Sequence, residues 1–179
     1  MIRLFLNFAG FQIVWWIAVL GAAAGQGSYG VAAAVTFAVL HFGLLRPPDG
    51  EHWLVAMTLL VGAMLDSSQF QLQLLQLPGP ATANHAPVWL VSLWLALGLT
   101  LRHSLSWMER RPLLAGLLGL IAAPVAYHGG AALGALAPLE LMSTVSVGLA
   151  YALALPALGW FSVWLRTNRR PLASPGAES

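Results

Sequence analysis

The chain has 179 residues, 59% of them hydrophobic and 8% charged, against about 25% charged in a soluble domain. A mean hydropathy of +0.77 and repeated apolar runs near twenty residues exclude an ordinary soluble core. The net charge of +2 is too small for a nucleic-acid partner, and the absence of cysteine excludes disulfides, thiolate metal sites and a cysteine nucleophile.

The apolar runs predict an all-α, six-helix transmembrane bundle, one polytopic domain over residues 1–170. The first span covers about 4–24. Its Arg3, apolar run and Ala22-Ala23-Ala24-Gly25 imitate a signal peptide. Asn7, Gln12 and the bulky Trp15-Trp16 pair, with five similar segments to follow, favour a retained helix. The second span covers 30–45 and stops at Arg46-Pro47-Pro48-Asp49-Gly50, a run of strong turn formers. The third covers 51–70 and opens on Glu51.

A mixed stretch, Gln71 to Leu77, then leads into a Pro- and Gly-rich loop ending at Pro87. The fourth span covers 88–107. Pro112 suits the first turn of the fifth, 113–127. Residues 129–137, with Gly129, Gly130 and Gly134, read as an irregular segment packed among helices. The sixth span covers 139–165, and residues 171–179 read as a disordered cytoplasmic tail.

All eight cations are arginine. Arg3, Arg46, Arg102, Arg110, Arg111, Arg166, Arg169 and Arg170 fall on one side if six spans bring both termini together. The positive-inside rule makes that side the cytoplasm. No internal repeat of the kind built into inverted-repeat transporters is evident.

Depth then sorts the polar residues. His41, Glu51 and His103 lie near the cytoplasmic ends of three spans. Two imidazoles and a carboxylate can ligate a transition metal or work as an acid–base set. The chain has no HExxH and no histidine-rich box, so no metal and no cofactor are expected. Asp66 lies roughly 22 Å further along the third span than Glu51, either meeting water at the outer interface or facing the bundle as a proton donor. Asn7, Gln12, Trp94 and Tyr127 are candidate substrate-binding residues. Most of the tryptophans suit interfacial belts, and Gly116/Gly119 and Gly130/Gly134 have the spacing of close helix approach.

Several local patterns occur together: Asn7 with Phe11-Gln12 and Trp15-Trp16, His41, Glu51 with Gly62 and Asp66, and Pro87 with Trp89 and Trp94. Thr100-Leu101-Arg102-His103-Ser104-Leu105-Ser106-Trp107, Pro124-Val125-Ala126-Tyr127 and Gly129-Gly130 complete the set. Over nearly the whole chain except its tail, this resembles the domain-of-unknown-function family 2878, small bacterial inner-membrane proteins. The resemblance implies a multi-pass protein of the bacterial inner membrane. Members of that family look as if they sit beside genes for fatty-acid modification, such as cyclopropane-type synthases, which implies a lipid context. It assigns no reaction and no catalytic residue.

The expected function is a lipid-associated accessory or binding role in the bilayer, with a lipid or isoprenoid ligand and a membrane-protein partner. An intramembrane enzyme using His41, Glu51, His103 and Asp66 for acid–base chemistry is the alternative, and a small proton-coupled carrier is the second. An enzyme requires the two histidines and Glu51 to converge. A binding protein requires a largely apolar cavity with few polar groups.

Overall fold

The computed structural model describes residues 2–44, 47–80 and 82–168. Leu45, Arg46, Arg169, Arg170 and the expected tail, 171–179, lie outside the described residues. The described residues form six α-helices and one short 3₁₀ turn, with no strand among them. The helices are α1 (Ile2–Ala23), α2 (Ser28–Leu44), α3 (Glu51–Gln71), α4 (Val88–Gly98), α5 (Pro112–Ala132) and α6 (Leu141–Asn168). α1, α3, α5 and α6 are long and apolar enough to cross a membrane, while α2 and α4 are shorter.

Packing runs α1 on α2, α2 on α4, α4 on α3, α3 on α6 and α6 on α5, with α1 also touching α4. α4, the shortest helix, thus stands at the centre of the bundle, and Trp94 on it is almost wholly buried. The α5–α6 pair approaches by way of glycine. A Cβ at Gly119 would stand 2.5 Å from the Tyr151 carbonyl oxygen, and one at Gly148 would stand 2.9 Å from that of Leu120. The expected close approach at Gly116/Gly119 is present. Gly130/Gly134 has a different use: Gly134, at φ +88°, caps the end of α5. There the Ala135 N–H donates to Gly130 O and the Gly134 N–H to Ala131 O. Gly25, at φ +73°, closes α1 in the same way.

Two expected spans are redrawn. The fifth helix does not stop at residue 127; it runs to Ala132, so Gly129 and Gly130 are helical and the irregular segment begins only at Leu133. α4 does not run to residue 107. Its eleven residues rise about 16 Å, roughly half of a hydrocarbon core. Beyond Gly98 the chain turns irregularly through Leu99–Leu105 and then makes a 3₁₀ turn over Ser106–Arg110.

The break has a local cause. The Thr100 hydroxyl donates to Leu97 O at 2.6 Å and the Ser106 hydroxyl to His103 O at 2.8 Å, side-chain bonds that compete with a helical ladder. Irregular backbone at membrane depth is tolerated when it is buried in protein. Leu99, Thr100 and Leu101 are buried here, and the Ser104 N–H is satisfied by the Asn7 side chain.

Candidate functional site

The broken end of α4 gathers one end of the bundle. Asn7 on α1 donates its amide to Leu99 O at 3.0 Å and accepts from the Ser104 hydroxyl at 2.7 Å. Arg102 reaches the other way: Nη1 donates to Asp49 O at 2.8 Å, Nε to the Ser162 hydroxyl at 2.9 Å and Nη2 to Ser162 O at 3.0 Å. Ser162 in turn donates to Glu109 at 2.7 Å, and Glu109 pairs with Arg166. The start of α1, the α2–α3 connection, the α4 break and the end of α6 are thereby tied together. The described arginines, Arg3, Arg102, Arg110, Arg111 and Arg166, all belong to this end.

Within it, His41, Glu51 and His103 come together. His41, in the last turn of α2, points Nε2 at Glu51 Oε1 at 3.2 Å. His103, freed from helical geometry by the break, points Nε2 at the same oxygen at 2.9 Å. The two imidazoles cross edge to face with centroids 4.7 Å apart, and Phe37 and Phe42 flank His41. Glu51 is completely buried, and its second oxygen, Oε2, has no hydrogen-bond partner among the described residues. Its position in the first turn of α3 sets the carboxylate against the positive end of that helix.

A second cluster surrounds Asp66. This residue is not at a watery interface: it is 2% exposed and faces the bundle. Trp94 Nε1 donates to Oδ2 at 2.8 Å, and the Tyr127 hydroxyl donates to Oδ1 at 2.5 Å. The Tyr151 hydroxyl lies 3.2 Å from that of Tyr127, and the Tyr151 ring packs on Trp94 with centroids 4.6 Å apart.

Beside this cluster is a cavity of about 790 Å³ between α1, α4, α5 and α6. α1 and α5 flank it and are not packed as a pair along their length. Its rim carries Phe8, Trp16, Ile121 and Val125, all exposed, so the opening faces sideways. Gln12, Tyr127 and Tyr151 bring polar atoms to an otherwise apolar, aromatic-rich wall that includes Trp15, Trp89 and Trp94. His41, Glu51 and His103 do not line it.

The expected site residues therefore divide into three groups. His41, Glu51 and His103 form one constellation. Asp66, Trp94 and Tyr127 form another, and Gln12 lines the cavity beside it. Asn7 stands outside the cavity wall, and both ends of its amide are engaged within the protein. Sequence reasoning missed Tyr151, a tyrosine in the middle of an apolar span whose hydroxyl had to find a buried partner. It also missed the Arg102–Ser162–Glu109 network, for which an arginine and a glutamate at opposite ends of one polar stretch were the available signal.

No curated protein and no solved structure matches the chain. Residues 4–163 match the family model described as Protein of unknown function (DUF2878), which takes in every helix but the ends of α1 and α6. A match over that much of the sequence makes the chain a member of the DUF2878 family.

Proposed function

We propose that this membrane protein binds a lipid or isoprenoid in its lateral cavity and serves as a lipid-associated accessory protein of the bacterial inner membrane, with both termini in the cytoplasm. The cavity carries the reading. At about 790 Å³ it falls within the roughly 300–1,000 Å³ of ordinary ligand sites. Its apolar wall suits a hydrocarbon tail, and its sideways opening suits entry from the bilayer rather than from water. Gln12 and the Tyr127 and Tyr151 hydroxyls are the few polar groups that would orient a hydroxyl, ester or phosphate of the ligand. The arginines gathered at one end support the orientation by the positive-inside rule.

A second reading, an intramembrane enzyme acting on such a lipid, draws on one observation. The Tyr127 hydroxyl on the cavity wall is bonded to the Asp66 carboxylate at 2.5 Å, so the two can pass a proton to or from a bound ligand. His41, Glu51 and His103 lie off the wall and take no part in that chemistry. A proton-coupled carrier needs a polar path between Asp66 and Glu51. On the buried face of α3 between them stand Leu54, Val55, Thr58 and Gly62, and the Thr58 hydroxyl is committed to Leu54 O at 2.8 Å. The carrier reading is accordingly set aside.

The test is lipid retention. The full chain is purified in a mild detergent and its co-purifying lipids are extracted and weighed by mass spectrometry. A lipid held at about one per chain in the wild type, and lost in Ala126→Trp, which fills the cavity, supports binding. A wild type that retains no lipid, or a variant that retains as much as the wild type, would overturn it.

A further inference from the structure

We propose that His41, Glu51 and His103 form a binding site for a divalent first-row transition-metal ion, for which zinc is the working probe. The inference is independent of the lipid reading, because none of the three residues lines the cavity.

The geometry supplies the first argument. One ring nitrogen of His41, one of His103 and a Glu51 oxygen all lie within 4.8 Å of one another. The two nitrogens stand 3.2 and 2.9 Å from the same carboxylate oxygen. In a tetrahedral zinc site with ligand distances of about 2.0–2.2 Å, neighbouring donor atoms are about 3.3–3.6 Å apart. Small side-chain shifts would bring the trio to that edge length.

The donor set supplies the second. Two imidazoles and one carboxylate are the ligands of catalytic zinc sites and of open-faced iron sites. Imidazole nitrogen argues against calcium and magnesium, and the lack of any sulfur ligand argues against copper(I).

The third argument is independent of both. Glu51 Oε2 is fully buried and has no hydrogen-bond partner among the described residues. Both histidines crowd onto Oε1 and leave Oε2 unused, although a buried carboxylate oxygen without a partner is costly. A cation between the three side chains would engage it.

Neighbouring groups are compatible with a cation. Arg102, next to His103 in the chain, is turned away by its three hydrogen bonds to Asp49 and Ser162. Phe37 and Phe42 pack on His41 and restrict its ring. His103 is the least buried of the three, with a side-chain exposure of 20%. It offers the ion a way in and leaves room for a water or an external group as fourth ligand.

The experiment uses the purified full chain in detergent, stripped with a chelator, dialysed and loaded with Zn²⁺ or Co²⁺ alone. We expect about one ion per chain by elemental analysis. Binding should fall at least tenfold in Glu51→Gln, His41→Asn and His103→Asn, and stay at the wild-type level in His52→Ala, His85→Ala and His128→Ala. X-ray absorption of the zinc-loaded wild type should report two imidazoles and oxygen in the remaining shell, a readout that needs no variant to fold. No binding of either ion would overturn the proposal and leave the trio as a hydrogen-bonded anchor only. Binding that survives all three site variants, or a shell with fewer than two imidazoles, would overturn it too.

Discussion

Trp94 lies across Gly62 so closely that a Cβ on residue 62 would stand 1.9 Å from its ring. α3 and α4 touch at that point, and the same indole hands its N–H to Asp66 one turn further along α3. The contact therefore fixes both the packing of the central helix and the position of the buried acid. Gly62→Ala is expected to force the indole away, breaking its bond to Asp66. Overpacking of this kind costs about 1–3 kcal/mol. Thermal unfolding in detergent should show a clear loss for Gly62→Ala. Gly43→Ala, at a helical glycine with nothing within 4 Å of the added Cβ, should show none. Equal effects of the two would refute the close-packing argument.

Asp66 can be probed in two ways that give different answers. Its two oxygens accept from Trp94 and Tyr127. Asn at position 66 can turn its carbonyl to the indole N–H and its amide to the Tyr127 oxygen, because a tyrosine hydroxyl accepts as well as donates. Asp66→Asn is therefore expected to unfold close to the wild type, within about 1 kcal/mol. Asp66→Leu leaves the Trp94 N–H unpaired, at roughly 1–3 kcal/mol, and leaves the Tyr127 hydroxyl only that of Tyr151 to bond. A large loss in Asp66→Asn would mean that the charge, rather than the hydrogen bonds, organises the cluster. If the enzyme reading is right, Asp66→Asn would keep the fold and lose the reaction.

Arg102 serves as a clamp, and its shape matters more than its charge. Its planar head spans Asp49 O and both the hydroxyl and the carbonyl of Ser162. A lysine ammonium is a point charge and cannot reproduce that fork. Arg102→Lys is expected to lose roughly 1.5–3 kcal/mol in unfolding measurements. Ser162→Ala removes one of the three bonds to Arg102 and should cost less. Hydrogen exchange should report the same order through faster exchange in the Leu99–Leu105 turns. If Ser162→Ala costs more than Arg102→Lys, the link from Ser162 to Glu109 carries the end of the bundle and Arg102 does not.

The helical class and the approximate spans were legible because apolar runs and Pro-Gly breaks act locally. The fourth span misled for a physical reason. Leu99 to Trp107 follows an apolar run and holds no proline or glycine to stop a helix, and composition carries no trace of Thr100 and Ser106 turning their hydroxyls onto the backbone. The glycines after Tyr127 misled in the opposite sense, since tertiary packing holds them in a helix that their own propensity disfavours. His41, Glu51 and His103 could be grouped because helix ends sort residues by depth. That Glu51 keeps one oxygen without a partner could not be read, nor could the side from which Asp66 is reached. Both depend on helix rotation, and helices that are apolar nearly all round leave rotation undetermined. The cavity was likewise invisible, because it follows from α1 and α5 failing to pack as a pair.

The proposed orientation can be tested on a chain that carries no cysteine of its own. A single cysteine therefore reports one position without background. His52, at the start of α3, and Asn84, in the loop between α3 and α4, are both exposed and lie at opposite ends of the bundle. His52 is at the arginine-bearing end, so His52→Cys is expected to resist a membrane-impermeant maleimide in intact spheroplasts and to react once they are lysed. Asn84→Cys should react before lysis. Neither position makes a side-chain hydrogen bond that fixes the fold, so both variants should assemble normally. The reverse pattern would place the arginines outside, against the positive-inside rule, and would turn the His41–Glu51–His103 end away from the cytoplasm. Labelling of both positions before lysis would mean that the half-length α4 does not carry the chain across, and the six-span topology would fall with it.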